Sequence, residues 1–170
     1  MSERRKRSGK MLTKLLAKYF VTIKQTEISD IQTTCTFHER LNRSDMPEIC
    51  GLISGNVIRG GIATEYRIIS VVFPRQRVAS TTACQISGSE IANFARQIRN
   101  GEQLLGWFHT HPKIGAFFSD IDWEQQKRLQ QTLKNNNADY DVLGMVFDPI
   151  NVDIKAYLGN SPTPIRVDIT

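Results

Sequence analysis

Fourteen residues constrain this chain more than any others: His109-Thr110-His111-Pro112, six further residues, then Ser119-Asp120-Ile121-Asp122. The apolar run Leu104–Phe108 ahead of them predicts a strand, and Pro112, which has no amide hydrogen to give a ladder, predicts its end. Side chains two apart on a strand share a face, so His109 and His111 can aim at one point. A polar helix predicted over Ser119–Leu133 would bring Asp122 to a third side of that point. Two imidazoles and one carboxylate, with a fourth position left for water, make the ligand set of a catalytic zinc ion. Structural zinc sites are usually closed by four protein ligands, mostly cysteines, and no cysteine lies near this segment.

Around this segment the pattern alternates. Tyr19–Ile23 reads as a strand. Glu27–Leu41 reads as a helix with Ile28, Ile31, Cys35, Phe37 and Leu41 on one face and Thr26 as its cap. Asn42–Met46 is turn chemistry. Ile49–Ile53 and Tyr66–Phe73 read as strands separated by a glycine-rich turn region, Gly55–Gly61. Pro74–Ser87 is a long polar connection, and long connections in small domains are often binding loops. Ser87–Asn100 reads as a helix with Ile91, Phe94, Ala95 and Ile98 inward and Gly101 as its stop. Val142–Phe147 and a final Asp153–Leu158 complete the strands, with 159–170 as a short tail. The expected class is α/β (α+β), one domain over 19–158 built on a central sheet.

Charge is unevenly spread. Residues 1–18 hold seven Lys/Arg against one acid, whereas the remaining 15 Lys/Arg and 16 Asp/Glu sum to −1. The basic balance therefore belongs to an N-terminal arm, expected to be solvated; few aromatics interleave with it, so nucleic acid is not an expected partner. No apolar stretch approaches the roughly 18 residues of a spanning helix, and the N-terminus lacks the apolar core of a secretory signal. Cys35, Cys50 and Cys84 are scattered and odd in number, which points to reduced thiols and a cytoplasmic location.

The pattern His-x-His-Pro, six residues, Ser-x-x-Asp resembles the motif of the JAMM (MPN+) metalloprotease family. That family also places a glutamate in a Glu-x-x-Gly context at the start of an early strand, and Pro47-Glu48-Ile49-Cys50-Gly51-Leu52 is similar. Gly106-Trp107 before the histidines and Val146–Ile150 after them extend the likeness, which covers roughly residues 20–158. The resemblance implies a single MPN/JAMM domain, cytidine-deaminase-like, with a central mixed sheet flanked by helices. It implies one zinc ion on His109, His111 and Asp122, a general acid/base at Glu48, and an oxyanion-stabilising Ser119. The implied substrate is ubiquitin or a ubiquitin-like modifier joined through its Gly-Gly terminus to a lysine. The implied setting is proteasome-related, although the lid member of the family extends further, so a free-standing peptidase is expected. An extended substrate tail would bind by strand addition to the loop near Pro74–Ile86, through Arg75, Gln76, Arg77, Val78 and Ala79.

Other readings stand beside these. Ser119-x-x-Asp122 is also a helix-capping sequence, and capping is compatible with catalysis because an accepting hydroxyl keeps a proton to donate. Trp107 and Trp123 read as core or rim packing and His38 as a helix-surface residue. A peptidase processing linear ubiquitin-like or sulfur-carrier precursors presents the same Gly-Gly carbonyl to the site. A non-catalytic MPN scaffold would have lost ligands or the glutamate, and none is missing here. Amidohydrolase barrels, cupins and zinc deaminases need longer chains, further histidines or paired cysteines.

Overall fold

The computed structural model describes residues 18–42, 47–73, 78–79, 84–99 and 101–170. Nine strands and three helices occur among them: β1 (Tyr19–Ile23), α1 (Gln25–Asn42), β2 (Cys50–Arg59), β3 (Thr64–Val72), β4 (Val78–Ala79), β5 (Cys84–Gln85), α2 (Gly88–Gln97), β6 (Gln103–Thr110), α3 (Asp120–Asn135), β7 (Leu143–Asp148), β8 (Asp153–Leu158) and β9 (Arg166–Ile169). Seven strands form one mixed sheet in the order β8-β7-β6-β2-β3-β1-β9. β6 is an interior strand, antiparallel to the central β2 and parallel to β7. The sheet curls so far that its two ends meet, with Ile165, just before β9, donating its N–H to Ala156 O of β8 at 2.8 Å.

Each face of the sheet buries its own core. One face packs Ile53, Leu105, Phe108, Met145 and Phe147 against Ile28, Ile31 and Cys35 of α1. The other packs Leu52, Leu104, Trp107 and Val146 against Leu129 and Leu133 of α3, with Ile91 and Phe94 of α2 and Ile98 just after it partly covered. Full burial of one such aliphatic side chain contributes roughly 1.5–3 kcal/mol. Within β6, Leu105 and Phe108 share one core and Leu104 and Trp107 the other, a spacing of three rather than two. The cause is an irregularity opposite Ile53 and Ser54 of β2, since an extra residue on one strand reverses the alternation. Gly106 sits at this point, where a Cβ would lie 1.8 Å from Leu143 O. From Trp107 onward the period of two resumes and carries His109 and His111 to the α3 side.

The structure revises several expectations. The glycine-rich stretch Gly55–Gly61 is not one turn, because β2 runs on to Arg59 and the reversal occupies residues 60–63, closed by Gly60 N–H to Ala63 O at 2.9 Å. Gly55 belongs inside the strand, where a Cβ would meet Arg67 O at 2.0 Å. Asp153–Leu158 is not the final strand. Part of the expected tail forms β9, parallel to β1 with Val21 opposite Val167. α1 begins at Gln25, which puts Thr26 inside the helix, and Phe37 is 58 % exposed rather than inward. α2 ends at Gln97 and Ala95 faces out. The expected turn at Asn42–Met46 lies, from residue 43, outside the described residues, as does the arm but for Lys18. None of the described helices is long and apolar enough to cross a membrane.

Candidate metal centre

β6 delivers the first two donors. His109 lies opposite Cys50 of β2 and Val146 of β7. His111, just past the strand, extends the parallel ladder by donating its N–H to Phe147 O at 2.9 Å. Both side chains are buried, at 1 % and 3 % exposure. Their Nε2 atoms stand 3.0 Å apart. Two imidazole nitrogens facing each other at that distance must either share one proton or point their lone pairs at a common cation.

α3 delivers the third. Ser119 is its N-cap and Asp122 its third residue, and together they form a capping box. Asp122 Oδ2 accepts from Ser119 N at 2.7 Å and from Ser119 Oγ at 2.6 Å, while Ser119 Oγ accepts from Asp122 N at 3.3 Å. The box aims the other oxygen, Oδ1, at His109 Nε2, 3.3 Å away. Burial alone would raise the Asp122 carboxyl, but the hydrogen bond and charge of His109, with the two donors of Ser119, outweigh it and hold the group below its usual range. Donor atoms of His109, His111 and Asp122 all fall within 4.8 Å of one another. Two nitrogens and one oxygen in that space fit a zinc ion with an open position. The Ser119 hydroxyl proton is engaged by Asp122, so donation to any other acceptor requires an exchange of partners.

Glu48 approaches from the segment just before β2. It is 5 % exposed, with Oε1 3.7 Å from His111 Nε2. Thr110, between the two histidines but facing the other way, holds it in place: Ile49 N donates to Thr110 Oγ1 at 3.0 Å, and Thr110 N donates to Ile49 O at 2.9 Å. Burial, assisted by the negative charge of Asp122, pushes the Glu48 carboxyl up to about 7. Burial and the neighbouring His109 push His111 down. A carboxylate poised near neutrality beside a cluster of metal donors has the proton affinity of a general base.

The loop that follows His111 is anchored by Asp148, a fully buried carboxylate at the end of β7. It accepts the N–H groups of Lys113 (3.4 Å), Gly115 (3.1 Å), Ile150 (2.9 Å) and Asn151 (3.2 Å), and Nδ2 of Asn151 at 2.7 Å. Burial would raise this carboxyl, yet the donors, Asn151 foremost, bring it below its usual range. Behind the centre, the Trp107 indole lies parallel to the His109 ring. In the sequence Asp148 stands out only within the flanking run Val146–Ile150, and Thr110 only as the residue between the histidines, because their side-chain oxygens accept from backbone N–H groups that no sequence motif displays.

Glu48, His109, His111, Ser119 and Asp122 therefore converge. Of the residues expected to hold a substrate tail, Arg75, Gln76 and Arg77 lie outside the described residues. Val78 and Ala79 form β4, paired antiparallel with Gln85 and Cys84 of β5.

The chain is 28% identical over 105 residues to the NAD(+) hydrolase TcpA of Theionarchaea archaeon (strain DG-70-1), covering 62% of this chain and 30% of that protein. It is 27% identical over 143 residues to COP9 signalosome complex subunit 5 of Debaryomyces hansenii, covering 81% and 27%. It is 36% identical over 75 residues to the AMSH-like protease of Mus musculus, covering 44% and 16%. The chain thus spans less than a third of the length of each of these relatives. Residues 23–135 match the model of the JAB1/Mov34/MPN/PAD-1 ubiquitin protease family, and with a single mixed-sheet domain flanked by three helices the chain belongs to that family.

Proposed function

We propose that the protein is a zinc-dependent isopeptidase that hydrolyses the bond between the C-terminal glycine of ubiquitin or a ubiquitin-like modifier and a lysine amine. The observation that carries this reading is the buried Glu48 carboxylate 3.7 Å from His111, itself within a cluster of three metal donors. His109, His111 and Asp122 would hold the ion. Bound zinc supplies Lewis-acid polarisation and acidifies water toward neutral pH.

Glu48 takes the proton from the attacking water and passes it to the departing lysine amine, so water adds across the carbon–nitrogen bond with no net proton change. A positioned acid/base contributes roughly 10²–10⁴-fold. Ser119, after exchanging its bond to Asp122, donates to the carbonyl oxygen as negative charge develops there. The segment containing Arg75, Gln76, Arg77, Val78 and Ala79 is assigned to the extended tail of the modifier, which a two-residue strand such as β4 can prolong through main-chain pairing.

A linear fusion presents the same Gly-Gly carbonyl as a lysine conjugate. The two are separated by supplying one of each to the wild-type protein, with NAD(+) as a third candidate substrate because one relative bears that hydrolase name. Faster release from the lysine conjugate is expected, NAD(+) being left intact. Preference for the linear fusion would recast the enzyme as a precursor-processing peptidase, and cleavage of NAD(+) alone would overturn the peptidase reading. Thiol-alkylating reagents should not inhibit, since Cys35 and Cys50 are fully buried and the metal donors include no cysteine.

A further inference from the structure

The ring of His109 is oriented without a hydrogen bond on its second nitrogen, Nδ1. Metal-ligating histidines ordinarily donate their second ring N–H to a carboxylate or a carbonyl, and that bond fixes the plane of the ring. His109 Nδ1 is buried and has no hydrogen-bond partner among the described residues. Aromatic rings bracket the imidazole instead. The Trp107 indole lies 4.9 Å away, centroid to centroid, at an interplanar angle of 14°, and Phe118 stands at 5.5 Å and 47°.

A stack fixes a ring only if its partner is fixed, and here the partner is. Trp107 Nε1 donates to Gln126 Oε1 at 2.7 Å. Gln126 Nε2 donates to Val142 O and Gly159 O, each at 3.1 Å. The amide is fully buried, so none of these three bonds can be exchanged for water without cost. Gln126 lies one helical turn beyond Asp122 on α3. One helix therefore presents a metal donor and, four residues on, the group that immobilises the ring stacked on another donor.

We propose that Gln126 is a positioning residue of the metal centre: acting through the Trp107 indole, it sets the plane of the His109 imidazole. The proposal rests on the reading that His109, His111 and Asp122 hold a metal ion. Outer partners of metal ligands typically change metal affinity by about 10–100-fold.

Gln126→Met removes all three bonds at similar volume, and it also costs stability by leaving buried groups unpaired. Gln130→Met is the matched control. Gln130 is buried one turn further along the same helix and accepts from Val142 N at 2.7 Å, with no hydrogen bond to Trp107 or to the metal donors among the described residues. Two experiments, giving three readings, are made well below both unfolding midpoints. One is cobalt(II) affinity with its ligand-field spectrum; the other, in metal-free protein, is the ring-current displacement of the His109 ring protons by NMR. Gln126→Met is expected to weaken cobalt binding about 10–100-fold, alter the spectrum and diminish the displacement. Gln130→Met should leave all three close to wild type. Unchanged readings in Gln126→Met, or equal losses in both variants, would overturn the proposal. A wild-type protein that binds no cobalt would bring down the metal reading instead, while the metal-free NMR arm still decides whether Gln126 orients His109.

Discussion

Replacing Glu48 by Gln should make the metal-free protein more stable at pH 8 and leave it nearly unchanged at pH 4. In the folded chain the carboxyl is 5 % exposed and its pKa is raised from 4.5 to about 7, first by burial and then by the charge of Asp122. Below 4.5 it is neutral in both folded and unfolded chains and carries no penalty. As pH rises toward 7 the unfolded chain releases its proton first, so the folded state loses stability across that window, and the loss is complete above it. A tenfold change in proton affinity corresponds to about 1.4 kcal/mol, which caps the effect near 3 kcal/mol. Since Gln must still be solvated in the same place, about 1–3 kcal/mol is expected. Denaturant unfolding of both proteins in chelator, at pH 4, 6 and 8, measures it. His111 and Asp122 titrate in both and largely cancel in the difference. A variant-minus-wild-type difference independent of pH, or a variant less stable at pH 8, would refute the reasoning.

Two further outcomes are expected. Ser119→Ala should lower turnover with an isopeptide substrate by about 10²–10³-fold, the usual effect of removing one oxyanion donor; the same change removes an N-cap and should cost roughly 1 kcal/mol of stability, which parallel unfolding curves would show. Gly106→Ala should destabilise by about 3 kcal/mol or more, because its Cβ would sit 1.8 Å from a backbone oxygen that cannot turn aside. A denaturation midpoint close to wild type would contradict that placement.

The site was legible because its geometry is written in local spacing. A strand brings His109 and His111 to one side and a capping box aims Asp122, whereas Glu48, distant in sequence, is marked only by the family resemblance of its Glu-x-x-Gly context. Gln126 lay equally close, four residues after Asp122, but one glutamine in a polar helix gives no sign that it faces Trp107. Elsewhere the misreadings have a common origin in long-range partners. Gly55 looked like turn chemistry because glycine usually supplies freedom, whereas here it supplies room beside Arg67 O of β3. The four residues of β9 alternate too briefly to stand out, and they exist as a strand only because β1 offers its edge. Phe37 fits the helical period of α1 yet is exposed, whereas Ile28, Ile31 and Cys35 pack into the core with the sheet.

The most direct test is zinc content measured beside cleavage of a lysine-linked ubiquitin-like conjugate, for wild type and Glu48→Gln. One zinc per chain in both proteins, with turnover in the wild type alone and lost on chelation, is the expected result. A wild type that holds no zinc, or a Gln variant that cleaves at full rate, would contradict the assignment of His109, His111 and Asp122 as ligands or of Glu48 as the base.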